Sequence, residues 1–278
     1  MSRFVFEGRT AVITGAASGI GEALAEALAA RGAHLALADI NAARMAEVAQ
    51  RLEAPGRRVT ATALDVTDRA AVNEFAEEVR RQHGAAHLVF NNAGVALGGT
   101  FDQVSADDFD WLMKINFHGV VDMTRAFLPL LREADEARLV NISSLFGLVA
   151  PPGQTAYSAA KFAVRGFSAA LRHELLGTPI GVTTVHPGGV NTRIAEDARM
   201  ADAATPEQIE AGQARLKRML VMPPPEAARI ILRGVERRKT RVLVGRDAHT
   251  MAVLERLWPA RYWSLVSRAL GVKPGATH

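Results

Sequence analysis

The sequence predicts an α/β protein built on a doubly wound parallel sheet of about seven strands, with helices on both faces. Three observations predict it. Short apolar runs alternate with longer stretches of helical period, a glycine-rich turn joins the first run to an Ala/Leu-rich helix, and polar residues collect just past the ends of the runs.

The first strand, residues 9 to 14, runs into Gly15-Ala16-Ala17-Ser18-Gly19-Ile20-Gly21 and then a helix to about 31. Strand, glycine turn and helix start together bind a pyrophosphate, because bare N–H groups and the positive end of the helix dipole meet its charge. The spacing is Gly-x-x-x-Gly-x-Gly, distinct from the commoner Gly-x-Gly-x-x-Gly. The second strand, 34 to 39, ends at Asp39, placed either to accept hydrogen bonds from an adenosine ribose or to cap the next helix, 41 to 53. Further strands are expected at 58 to 65, 87 to 92, 137 to 143, 181 to 186 and 241 to 245. Helices are expected at 68 to 83, 105 to 132, 155 to 176 and 225 to 238. Right-handed crossovers then bring Gly15, Asp39, Asp65, Asn91, Ser144 and Pro187 to one rim, beyond the carboxyl ends of the strands where ligands bind.

On the helix from 155, Tyr157 and Lys161 stand one turn apart and share a face. A phenol with a pKa of about 10 is a poor base at neutral pH, and a neighbouring cation favours its phenolate. Ser143-Ser144 precede the pair, and Asn116 lies within a long helix where Asn is a mediocre helix former.

This ordered set resembles the short-chain dehydrogenase/reductase family in its single-domain form, from about Gly8 to Gly245. Thr14 to Gly21, with Gly15, Ser18, Gly19, Ile20 and Gly21, is similar to the family's cofactor turn; Asp65-Val66 to its adenine-contacting pair; Asn91-Asn92-Ala93-Gly94 to its fourth-strand motif. Asn116, Ser144, Tyr157 and Lys161 match its active-site set, and Pro187, Gly188, Val190 and Thr192 its nicotinamide-side loop. The resemblance implies a Rossmann-type sheet and hydride transfer between a nicotinamide cofactor and an alcohol or ketone. It implies that Tyr157 moves the hydroxyl proton, that Lys161 lowers the Tyr157 pKa and hydrogen-bonds the nicotinamide ribose, and that Ser144 donates to the substrate oxygen. Asn116 would connect Lys161 to solvent through ordered water. NAD is the expected cofactor, since Asp39 would repel the 2′-phosphate of NADP and only Arg44 stands near enough in sequence to oppose it. Two alternatives remain: an NADPH-dependent ketoreductase of the 3-oxoacyl kind, which Asp39 and the long C-terminus oppose, and a non-catalytic dinucleotide sensor, which the complete catalytic set opposes.

The 278 residues suit one domain, 1–278, and no linker divides them. The chain has no cysteine, which leaves disulfides out and permits a reducing cytoplasm, the expected location. No apolar leader or membrane-length run is present, so a soluble protein without membrane insertion is expected. The formal charge of +4 comes with basic clusters at 215 to 218 and 237 to 241 but no aromatic-interleaved stripe, so nucleic acid is not an expected partner. Cations at a helix end also complement its dipole. His83, His118 and His173 lack metal-ligand spacing, His186 reads as structural, and Asp107 and Asp108 as first-turn acids after Ser105; no metal is expected.

Residues 193–222 form an insert where the family places its substrate lid, with Thr205-Pro206-Glu207-Gln208 as a helix start. Leu216, Met219, Leu220 and Met222 could line an apolar pocket or pack the lid onto the domain, and Leu145, Phe146, Leu148 and Val149 add apolar surface near Ser144. A hydrophobic secondary alcohol or ketone is the expected substrate class. Ala159, Ala163, Gly166 and Ala170 make a small-residue stripe that serves either packing on the protein's own sheet or, as the resemblance implies, a homodimer or homotetramer. Beyond the matched core, 247–271 reads as an amphipathic extension: a helix started by Pro259 with Tyr262, Leu265, Val266, Ala269 and Leu270 on one face, preceded by Met251, Leu254, Leu257 and Trp258. It is expected to dock on the protein, near the lid or across a subunit interface, in preference to a membrane surface.

Overall fold

In the computed structural model, which describes residues 3–269, seven parallel strands are ordered β3-β2-β1-β4-β6-β7-β9. They are β1 (Thr10–Thr14), β2 (His34–Asp39), β3 (Val59–Ala63), β4 (Leu88–Asn91), β6 (Ala137–Ile142), β7 (Ile180–Pro187) and β9 (Arg241–Val244). The order reverses between β1 and β4, which opens a crevice at their carboxyl ends. Two-residue strands β5 (Leu97–Gly98) and β8 (Arg199–Met200) pair separately; runs this short leave no period to read.

Alternate residues of the strands face opposite helical layers, as parallel sheets buried on both sides require. Ala11, Ile13, Leu35 and Phe90 pack on α1 (Gly19–Ala29), α2 (Ala42–Leu52) and α8 (Pro224–Glu236) through Leu24, Leu28, Met45 and Ile231. Val12, Ala36, Val89 and Leu139 face α3 (Arg69–His83), α5 (Gly119–Glu133) and α6 (Thr155–Glu174), where the Phe75 and Phe127 rings meet edge-on at 5.5 Å between centroids. Asp68 caps α3, and Gly84, at φ +76°, ends it in the left-handed region.

The helix expected over 105–132 is three pieces: α4 (Ala106–Met113) capped by Ser105, a π-helical turn at Lys114–His118, and α5. One extra residue in a helical turn leaves the apolar period nearly intact, so the sequence hides it. Asp107 and Asp108 occupy the first turn as expected, but Asp108 also binds Arg199 at 2.6 Å, and that guanidinium lies 3.8 Å from the Trp111 ring. The segment 193–222 is thereby fastened to α4. Its helix α7 (Pro206–Met219) starts in a reciprocal capping box, Thr205 Oγ accepting from Gln208 N–H and Gln208 Oε1 from Thr205 N–H. Met222 packs on the domain core and Met219 is exposed; the Leu216 side chain lies outside the described residues.

The C-terminal extension is two helices, α9 (Arg246–Leu257) and α10 (Tyr262–Ala269). Pro259 does not open the second one: residues 258–261 form a turn and the helix begins at Tyr262. Val266 is buried and Leu265 is exposed; Leu270 and the Ala269 side chain lie outside the described residues. The extension docks on its own chain. Ala248, Met251 and Tyr262 pack on Leu145 and Val149, and Tyr262 Oη accepts from the Ala150 N–H at 2.9 Å. Along α6, Ala159, Gly166 and Ala170 are exposed and Ala163 is partly so, while Ala156, Ala160, Val164 and Leu171 form the inner face. The small-residue stripe therefore faces away from the protein's own sheet. No helix of the described residues is long and apolar enough to cross a membrane.

Candidate active site

The turn after β1 is shaped by close backbone approach. Gly15 and Gly19 adopt φ of +63° and +58°, and a Cβ at Gly21 would collide with the Gly15 carbonyl oxygen and lie 2.6 Å from Asn92 Nδ2. Thr14 Oγ1 accepts from the N–H groups of Asn92 and Ala93, each at 3.0 Å, while Asn92 Nδ2 donates to the Thr14 and Gly15 carbonyls. The second Asn of the pair thus ties the end of β4 to the glycine turn, a role that its place in the motif alone does not reveal. Asn91 itself is buried, its amide donating to Asn141 and Thr124, and it lines a narrow crevice with Val66, Ala93 and Ile115. Asp65 is exposed beside this crevice and accepts from Thr67 N–H at 2.8 Å.

Asp39 does not cap α2; Asn41 does, its Oδ1 accepting from Arg44 N–H. The Asp39 carboxylate instead accepts from Ala17 N–H in the glycine turn at 3.0 Å and from Asn41 N–H at 2.9 Å. It is thereby fixed at the end of β2, next to an Ile40 that projects into solvent. Ser18 holds the N-cap position of α1 with its hydroxyl unused for capping, and Ile20 packs partly against the core beneath.

Across the crevice, Pro187 ends β7. Gly188 donates to the Val244 carbonyl, and a Cβ there would strike the Asp247 carboxylate, which accepts from Gly189 N–H at 2.7 Å. Asp247 is a residue that spacing could not have found, since it sits in the extension and acts on a loop 58 positions away. Val190 is buried, and Thr192 Cγ2 stands 3.0 Å from where a Gly19 Cβ would be. The β7 loop therefore reaches the glycine turn.

The four catalytic candidates come together past β4 and β6. Asn116, fully buried in the π turn, is satisfied by Val95: Oδ1 accepts from its N–H at 2.8 Å and Nδ2 donates to its carbonyl at 2.9 Å. A Cβ on Gly94 would lie 3.1 Å from Asn116 Oδ1 and 3.4 Å from Lys161 Nζ, so the bare glycine makes room for both. Lys161 is buried, donates to the Ile142 carbonyl at 3.2 Å, and lies 5.6 Å from the centre of the Tyr157 ring. Ser143 is structural, its hydroxyl donating to the Lys161 carbonyl. Ser144 caps the short turn Leu145–Gly147 and hydrogen-bonds the Tyr157 phenol, whose ring meets Phe146 edge-on.

The electrostatics differ from the spacing argument. Burial raises the Tyr157 pKa, with the Ser144 hydrogen bond pulling the other way. Burial also lowers Lys161 to about 8, because the low-dielectric site opposes its charge. In the free protein the phenol is therefore a proton donor at neutral pH.

His186 is positioned beneath this site. It is buried, its pKa is pushed down to about 4 chiefly by burial, and the neutral ring donates from Nδ1 to the Ser144 carbonyl at 2.9 Å. His83, similarly buried, is also held at about 4. Below pH 6.5 the unfolded chain takes up protons at both imidazoles while the fold resists them down to about 4, so stability is lost across that window. Thermal midpoints measured between pH 7 and 4 should fall accordingly; a constant midpoint would contradict the burial of these rings.

The residues fit a dinucleotide. A cradle closed to any Cβ, an uncapped Ser18 at a helix N-terminus and a fixed carboxylate at the end of β2 supply the pyrophosphate and ribose contacts such a group needs.

Known proteins agree with this geometry. A family model described as short chain dehydrogenase matches residues 9–203. SadH of Mycobacterium tuberculosis, named as an oxidoreductase, is 44% identical over 264 residues, 94% of this chain and 95% of that one. A short-chain dehydrogenase/reductase from Burkholderia phymatum, solved in complex with NAD, superposes with a TM-score of 0.85 at 30% identity, covering 98% of each chain. A short-chain dehydrogenase from Mycobacterium paratuberculosis bound to NAD gives a TM-score of 0.77 at 27% identity, over 88% of this chain and all 100% of that one. With the glycine turn and the Tyr157–Lys161 helix at one rim of its sheet, the chain belongs to the short-chain dehydrogenase/reductase family of oxidoreductases.

Proposed function

We propose that this protein transfers a hydride between NAD and a hydrophobic secondary alcohol or its ketone. The observation that carries the reading is the convergence of Ser144, Tyr157, Lys161 and Asn116 beside the glycine turn. When bound, the nicotinamide supplies the hydride acceptor or donor; the chain moves the proton and orients the substrate. Tyr157 takes the hydroxyl proton during oxidation and returns it during reduction. Ser144 donates to the substrate oxygen, where negative charge grows toward the transition state. Lys161, within reach of Gly94 and the ring of Tyr157, is placed to bind the nicotinamide ribose and to supply a cation once the phenol ionises.

The Asp39 carboxylate supports NAD over NADP. An added 2′-phosphate would face a fixed negative charge, and two solved relatives hold NAD. Replacing Asp39 by Ala and Ile40 by Arg removes the repulsion and adds a phosphate partner, so the ratio of kcat/KM for the two cofactors should shift at least about tenfold toward NADP. An unmodified protein that already prefers NADP would refute the assignment and point to Arg44 as the phosphate ligand.

Apolar substrates are supported by what surrounds Ser144 and Tyr157: Leu145, Phe146 and Val149 on one side, Met251 and Tyr262 from the extension behind them. Shortening the chain after Leu257 keeps Asp247 and α9 but removes α10 and the Tyr262 hydrogen bond to Ala150. That bond, worth about 1 kcal/mol to the fold, helps hold residues 145–150 beside Ser144, so KM for apolar alcohols should rise while NAD affinity stays put. Native KM in the shortened protein would show that α10 does not shape the pocket. The small-residue stripe on the outer face of α6 supports a homodimer or homotetramer formed through that helix. A panel of alcohols and ketones assayed with both cofactors by nicotinamide absorbance tests the whole reading: NAD-linked turnover of apolar members supports it, and no turnover with any member contradicts it.

A further inference from the structure

Among the described residues β9 has no strand beyond it at the outer edge of the sheet, and the groove it forms with α8 and α9 is a cavity of about 370 Å³. Arg233 and Arg237 from the end of α8, Lys239 from the following turn, Arg241 at the start of β9 and His249 on α9 line it, over a floor that includes Val242 and Leu243. No carboxylate is among the lining residues. Arg233, Arg237, Lys239 and Arg241 form no ion pair among the described residues, whereas their neighbour Arg238 is bound to Glu136 at 2.6 Å.

Cations near the end of α8 complement its dipole, which accounts for Arg233 and Arg237. It does not account for Lys239 and Arg241, which lie past the helix and turn toward the same concavity. Like charges gathered there repel one another. Burial and then Arg165 lower the Arg241 pKa, Glu255 works against them, and Arg256 adds to the lowering. The crowding belongs to a wider asymmetry: residues 229–268 hold ten Lys/Arg and three Asp/Glu, a net +7 in a chain whose total is +4.

We propose that the groove between α8, β9 and α9 is a binding site for a phosphate-bearing anion, held jointly by Arg233, Arg237, Lys239 and Arg241. Guanidinium forks match phosphate oxygens in pairs, and a multiply charged group relieves repulsion that a single carboxylate would relieve only in part. The volume suits a small ligand rather than a duplex, and the charges converge on one hollow instead of running in a stripe. The cations stand away from the chemistry. Arg241 opens β9 at its amino end, while Tyr157 and Ser144 act past the carboxyl ends of the strands. This inference stands whether or not the proposed reaction does.

The test uses the full chain at low ionic strength with NAD saturating, so that the glycine turn is occupied. Inorganic pyrophosphate is titrated by calorimetry, and vesicles of phosphatidylcholine with and without phosphatidylglycerol are sedimented with the protein. Two variants, R237Q/R241Q and R233Q/K239Q, alter exposed side chains outside the catalytic machinery. Saturable pyrophosphate binding that weakens at least about tenfold in either folded variant, a loss of about 1.4 kcal/mol, supports the site with a soluble ligand. Association with phosphatidylglycerol vesicles alone, lost in the same variants, supports it with a lipid headgroup as the phosphate source. Absence of saturable binding to both probes, or binding unchanged in both variants, overturns the proposal.

Discussion

Tyr157→Phe should lower turnover by about 10² or more, the usual cost of losing a general acid/base, while leaving NAD affinity nearly unchanged. The ring that remains still meets Phe146 edge-on and still lies beside Lys161 Nζ, so its packing survives while the proton carrier and its hydrogen bond to Ser144 are lost. Because burial holds the phenol above its ordinary pKa, oxidation, which needs the deprotonated form, should accelerate as pH rises toward the alkaline range. Reduction, which consumes the protonated phenol, should not. Steady-state kinetics in both directions across pH check both statements. Near-native turnover in the Phe variant would remove Tyr157 from the mechanism.

Gly21→Ala should be almost as damaging through a different cause. The added methyl would collide with the Gly15 carbonyl and press on Asn92 Nδ2, whose hydrogen bonds to the Thr14 and Gly15 carbonyls hold the turn against β4. Neither the backbone of the turn nor that clamp can retreat freely. The helix start must shift, at a cost of about 1–3 kcal/mol in stability, and a misplacement of this kind costs about 10² in turnover with NAD. Gly212→Ala on α7 is the control, since its Cβ would meet only Met200 Cε at an ordinary 3.9 Å. Thermal denaturation and NAD titration of the two variants separate them; equal behaviour would mean that the turn tolerates a Cβ and that its close approach is incidental.

How far the sequence discloses this molecule depends on which physical signal each part leaves. Parallel strands packed between helices read as short apolar runs, and the exposed edge strand β3 as a β-branched one, so all seven strands of the main sheet are legible, as is the glycine turn at its switch point. The π turn around Asn116 is not, because one inserted residue barely disturbs a helical period. Pro259 suits a first helical turn in isolation, yet the chain turns from Trp258 to Arg261 and starts α10 at Tyr262. Asp39 and Asn41 both have capping chemistry, and only the fold assigns the cap to Asn41 and frees Asp39 for the glycine turn. At the site, spacing finds Tyr157 and Lys161 on one face but is silent about burial, which sets the direction of both pKa shifts. His186 beneath Ser144 and Asp247 behind Gly189 act through long-range contacts that no local pattern records.

The most direct measurement follows the hydride itself. An apolar secondary alcohol that turns over, deuterated at its carbinol carbon, is incubated with NAD and the native protein, and the recovered reduced cofactor is examined by mass spectrometry and NMR. Direct transfer places the deuterium at a single face of the nicotinamide ring, with the label reduced by about 10² when Tyr157→Phe replaces the native protein over the same interval. Reduced cofactor without deuterium, or label transferred at an equal rate by the Tyr157→Phe protein, would contradict the proposed transfer between NAD and the carbinol carbon.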